Sequence, residues 1–137
     1  MQTRILTPSE KRQFRADVAL VLDFNDVAAA TSTVAVPSLS VLAGTKVQCV
    51  GLRLVTAFNS GSLTLSIGDG NSATSLTSAV QMATGSTPIA YHVGGSAVVY
   101  LVDDTVDVFW TCSNMAKTSG KVVVYLAVED MNKLPIS

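Results

Sequence analysis

"SGKVVVYLAVED", residues 119–130, is the stretch on which the fold turns. Successive side chains of a strand point to opposite faces, so Val122, Val124, Leu126 and Val128 share one face and Val123, Tyr125 and Ala127 share the other. Both sets are apolar. A strand with two apolar faces sits in the middle of a sheet or is covered on both sides. The rest of the chain must supply its neighbours.

Period-two patterning runs through most of the remaining sequence. "VALVLDF" (18–24) is a continuous apolar run of strand length. "TVAVPSLSVLAG" (33–44) alternates on both sides of Pro37, which predicts two short strands or one edge strand with a bulge at the proline. "KVQCVGLRLVTAF" (46–58) is the longest strand candidate, with Val50, Leu52, Leu54 and Phe58 expected in the core. "SLTLSIG" (62–68) follows the turn residues Asn59-Ser60-Gly61 and reads as the second arm of a hairpin. "ATSLTSAVQMATG" (73–85) reads as a short helical turn or loop entering a strand, and "STPIAYHVGG" (86–95) as a weak strand. Residues 96–102 and 105–112 read as two strands joined tightly at Asp103-Asp104, with Val106, Val108 and Trp110 alternating with Thr105, Asp107 and Phe109.

About eight strands, turns rich in Gly, Asn, Asp and Ser, and no long amphipathic helix predict an all-β fold: an antiparallel β-sandwich or jelly roll over residues 16–137. Residues 1–15 are polar, basic and poorly periodic, and are expected as an extended N-terminal arm outside that domain. With 137 residues, one domain suffices.

Charge is scarce and unevenly placed. Charged residues make up 14% of the chain, against an average near 25%. Gly70 to Val102 contains no Asp, Glu, Lys or Arg. Such a deficit points to surface that is buried against other protein chains. Arg4, Lys11, Arg12 and Arg15 place four of the nine basic residues in the first fifteen positions, whereas Asp103, Asp104, Asp107, Glu129 and Asp130 make the last third acidic. The net charge of −1 gives no global field for nucleic acid, and Phe14 alone supplies no stacking platform, so direct nucleic-acid binding is not expected. The N-terminus has no apolar core of signal-peptide length, and no run is long enough for a membrane helix.

Candidate chemistry thins out on inspection. His92 is the single histidine, so a histidine metal cluster is excluded by number; a Ser-His-Asp triad lacks its G-x-S-x-G elbow. Cys49 and Cys112 match neither a zinc site nor a disulfide framework and read as two buried thiols of a chain made in a reducing cytoplasm, with their pairing left open. Asp103 and Asp104 read as a solvated turn, with calcium as the alternative. Trp110, Phe109, Tyr100, Tyr125 and Tyr91 read as core aromatics rather than a sugar platform. In "GDG" (68–70), Asp69 lacks the lysine of a P-loop and the further acidic ligands of an EF-hand; it reads as bonding its own turn. No enzyme activity, cofactor or metal is expected.

"VGLRLVTAFNSGSLTLSIGDGNSATSLTSAV" (50–80) and "AVVYLVDDTVDVFWTCSNMAKTSGKVVVYLAVED" (97–130) together resemble small structural proteins of tailed bacteriophages. The layout that carries the likeness is a strand, "TAFN", a strand, "GDG", a short segment ending in "AV", a "DDTVDV" strand and a closing "GKVVVYL" strand. The resemblance implies a non-enzymatic virion protein, foremost a head decoration (cement) protein. Such a protein binds the outer capsid surface across major capsid protein junctions, is commonly trimeric, and is made in the bacterial cytoplasm. The alternative is a tail- or fibre-associated adaptor or host-binding module. No catalytic residue comes with it. The expected protein-interaction residues are those of the basic N-terminus: Arg4, Lys11, Arg12, Phe14 and Arg15.

Overall fold

The computed structural model describes residues 2–27, 34–59, 63–81, 90–92, 97–112 and 119–133. Ten strands lie among them: β1 (Gln2–Ile5), β2 (Val18–Asp23), β3 (Val34–Val41), β4 (Thr45–Thr56), β5 (Leu63–Gly68), β6 (Thr77–Gln81), β7 (Ala90–His92), β8 (Val98–Val99), β9 (Asp104–Cys112) and β10 (Lys121–Asp130). Two short helices, α1 (Pro8–Phe14) and α2 (Phe24–Val27), flank β2, and a 3-10 turn (Met131–Lys133) follows β10.

Every strand pair is antiparallel, and the strands form two sheets. The six-stranded sheet runs β1-β2-β10-β4-β7, with β8 also on β4; the four-stranded sheet runs β3-β9-β5-β6. As its two apolar faces require, β10 is central, between β2 and β4. Val122, Val124 and Leu126 are fully buried, while Val123, Tyr125 and Ala127 are half-buried on the opposite face.

One apolar cluster joins the two sheets. Leu20, Leu22, Leu52, Leu54, Val122 and Val124 come from the six-stranded sheet, and Leu63, Leu65, Ile67, Val106, Val108 and Trp110 from the four-stranded one. Phe58 meets Trp110 edge to face at 5.2 Å between ring centroids. A second, smaller cluster lies on the other face of the six-stranded sheet: Leu6, Ala16 and Ala19, packed against Val50, Val123 and Tyr125.

Several expectations change. Residues 1–15 are not an arm outside the domain: β1 pairs with β2 from Gln2↔Val21 to Ile5↔Val18, and Leu6 is buried. The sequence carried the signal for α1. Thr7-Pro8-Ser9-Glu10 is a capping box with proline at the first helical position, and both reciprocal bonds form.

The two predicted hairpins also dissolve. β4 and β5 belong to different sheets, as do β8 and β9. The chain crosses between sheets at both places because inward-facing aromatics anchor the crossings: Phe58 after β4 and Tyr100 after β8, both buried.

In β4 the buried face switches. Val47 and Cys49 are buried before the middle, Leu52 and Leu54 after it. The register with β10 steps from Leu126↔Cys49 to Tyr125↔Gly51, leaving Val50 as the extra residue of a bulge. Val50, expected in the core, therefore turns to the outer cluster. β3 behaves as an edge strand with a register shift between Pro37 and Leu39, one of the two forms the proline predicts.

Candidate functional site

The basic N-terminal residues sit on a cap built by β1 and α1 at one edge of the six-stranded sheet. Arg4, on β1, donates to Glu10 Oε1 and reaches Oε2, both at 2.8 Å. Glu10 also accepts from the Thr7 backbone, which, with the Thr7 hydroxyl contact and Arg4, holds its carboxyl below the usual value. Lys11 lies 3.9 Å from Asp17. Asp17 fastens the cap to the sheet: its carbonyl accepts from Leu6 N, its Oδ2 from Val128 N, and its own N–H donates to Leu126 O.

Arg12 and Arg15 are exposed and make no ion pair among the described residues. Arg15 closes α1 in the left-handed region, φ 55 and ψ 37, where glycine is the cheap choice. Phe14 is the last residue of α1; its side chain lies outside the described residues. Thus Arg4 and Lys11 hold the cap together, and Arg12 and Arg15 present charge outward.

Between cap and sheet lies a shallow pocket of about 230 Å³. Leu6, Ala19, Val21 and Val123 form its apolar lining, with Arg4, Glu10, Arg53 and Tyr125 around them. Arg53 is exposed, without an ion pair among the described residues. The alternation in β4 puts Arg53 on the face opposite Leu52 and Leu54, but nothing in the strand itself shows that β1 and α1 build a pocket over that face.

The other edge of the same sheet is apolar and acidic. The turn before β4 is its hub. Gly44, at φ 90, donates to Tyr100 O at 2.7 Å and accepts from Met131 N; Asp103 Oδ1 accepts from Ala43 N. Leu42, Val99, Leu101, Val102 and Met131 are left exposed there, Leu101 at 86% and Leu42 at 69%. Exposed Asp103 and half-buried Asp104 stand beside them with no cationic partner among the described residues. Asp103 thus caps the neighbouring turn instead of making a hairpin of its own.

Asp69 is buried and fully occupied. Oδ1 accepts from Asn71 N and Ser72 N, and Oδ2 from Ser75 Oγ and Tyr100 Oη. Burial pushes its pKa up, but these four bonds outweigh it and hold the carboxyl below its usual value. The tyrosine is pushed up by burial and by the charge it bonds. The carboxylate does bond its own turn, as "GDG" predicts, and it reaches across to the other sheet as well.

Among the described residues, no three His, Cys, Asp or Glu side chains converge as metal ligands. No described helix is long and apolar enough to cross a membrane. His92 pairs with Gly51 through β7, and its side chain lies outside the described residues. Cys49 is a buried free thiol, and burial raises its pKa to about 11.

No protein-family model, curated protein or solved structure matches the chain.

Proposed function

We propose that the protein is a non-enzymatic structural component of a tailed-phage virion. It acts as a decoration protein on the outer capsid surface, bound across junctions of the major capsid protein and stabilising the head. In this reading the two sheets form a jelly-roll sandwich and the working unit is an oligomer, a trimer by the resemblance to phage proteins.

One observation carries it. The charge-free stretch Gly70–Val102 supplies β6, β7 and β8, and all three lie at sheet edges among the described strands. Exposed edges are normally guarded by charges, above all lysine, because their open backbone groups invite pairing with other chains. Three edges without one charged side chain suit a protein whose edges are covered in an assembly. Many copies on one particle then let modest contacts add.

The test is particle stability. Capsids stripped of the protein should release DNA at a lower temperature than complete ones, and adding purified protein should restore them. Equal thermal and osmotic resistance of stripped and complete particles rules the reading out.

The pocket beside Arg53 and Tyr125 favours a second reading, a host-binding module on a tail or fibre, since its guanidinium groups and apolar floor suit a small polar ligand. Immuno-electron microscopy that labels the tail instead of the head decides for it.

A further inference from the structure

We propose that copies of this chain associate head to tail, the β8 edge of the six-stranded sheet in one copy burying against the β1 edge in the next. The proposal rests on the reading of the protein as a structural component, but its test uses no capsid, so either can fail alone.

Three observations point the same way. First, among the described strands β1 and β8 lie at opposite ends of one sheet, so a translation with rotation brings one edge to the other. Second, the β8 side exposes several large apolar side chains, and β1 exposes one. Leu42, Leu101 and Val102 crowd the β8 side, and Ile5, 78% exposed, stands on β1. A contiguous apolar patch rimmed by polar groups marks a protein contact.

Third, the charges are complementary and unspent. Asp103, which caps the turn before β4 beside β8, and Asp104 after it lack cationic partners, and Arg12 and Arg15, on the connection between β1 and β2, lack anionic ones, among the described residues. Arg15 keeps a strained backbone where glycine would fit without strain, which is intelligible if its guanidinium is needed.

The same charges argue against symmetric pairing. Two β8 edges face to face would bring four aspartates together, and two β1 edges would bring four arginines together; like charges across a contact select against that arrangement. A heterologous contact remains, and such contacts build rings or filaments according to the rotation between copies.

The test is a mixing experiment on the full-length chain, read by sedimentation velocity. The wild type should associate. Arg12→Glu with Arg15→Glu breaks one edge, and Leu101→Lys with Val102→Lys breaks the other; each double variant alone should sediment as the 14.3 kDa protomer. Mixed, they retain one intact pair of edges and should give a 1:1 dimer. All four positions are exposed, so both variants should keep the wild-type circular dichroism and thermal midpoint. A wild type that stays monomeric overturns the proposal. So do folded variants that associate like the wild type, or a mixture that stays monomeric.

Discussion

The Tyr100 hydroxyl donates to Asp69 Oδ2 at 3.0 Å, tying the loop after β5 in the four-stranded sheet to the segment after β8 in the six-stranded one. The bond spans 31 residues of sequence, and both side chains are buried. An aspartate that bonds only its own turn shapes a loop. This one also fixes how the loop meets the opposite sheet.

A pH dependence follows. Asp69 has a folded-state pKa below the ordinary aspartate value. A group shifted down contributes its stability in full above the unfolded-state value and loses it as pH falls through the folded one. Asp69→Asn should therefore be less stable than wild type at neutral pH, and the gap should narrow below about pH 4. Tyr100→Phe leaves one buried carboxylate oxygen with a donor fewer and should cost about 1–3 kcal/mol at neutral pH. Denaturant melts of the three proteins from pH 7 to pH 2 check both; a gap that widens with acid contradicts this account.

Trp110 is the largest side chain of the core, packed edge to face on Phe58. Trp110→Ala should cost about 3–5 kcal/mol. Its Nε1 is buried with no acceptor among the described residues. Trp110→Phe should therefore lose much less, since it keeps a ring against Phe58 and removes an unsatisfied donor. Equal losses in the two variants, by urea unfolding, would show that the indole nitrogen has a partner.

The docked cap predicts the effect of truncation. Removing residues 1–15 takes away β1, α1 and the buried Leu6, and exposes Ala19 and the outer face of Val123 and Tyr125. Losing Leu6 alone costs about 2 kcal/mol. The truncated chain should melt at a lower temperature than wild type by calorimetry. An unchanged midpoint would mean the cap contributes nothing to the fold.

Cys49 should be inert. Its thiol is buried and its pKa raised to about 11, so almost no thiolate exists at neutral pH. Ellman's reagent should modify Cys49 only as fast as the protein unfolds, with the modified residue identified by peptide mass mapping. Rapid labelling of the native protein at that position would count against its burial.

The sequence makes individual strands legible but not their allegiance to sheets. β5 and β9 announce themselves through alternation, and β10 through an apolar run that fills both faces, because each keeps one pleat phase over its core contacts. β3 does so through the proline that an edge alone tolerates. What fails are inferences about neighbours. A short polar turn at 59–61 looks like a hairpin whether the chain returns beside itself or steps to another sheet. The difference lies in where Phe58 and Tyr100 find room, which is long-range packing. The candidate site divides in the same way. The positive charge of the N-terminus is readable from composition, and its docking is readable from the capping box at Thr7. The apolar end is not readable, since the segments carrying Leu42, Leu101 and Met131 are gathered only on folding, by the backbone bonds of Gly44 and Thr45 with Tyr100 and Met131.

The phase change at Val50 has a consequence for how the chain avoids folding wrongly. An unbroken twelve-residue strand can slide along its neighbour two residues at a time and still present apolar groups inward, so the error is cheap and hard to reject. β4 has no such freedom. Its two halves are out of step, and any slip that suits Val47 and Cys49 drives the bulge into positions where Leu52 and Leu54 expect a regular pleat. The residue inserted at Val50, with a second register step at Val55, acts as a vernier mark and allows β4 a single seat against the strand at the centre of the fold.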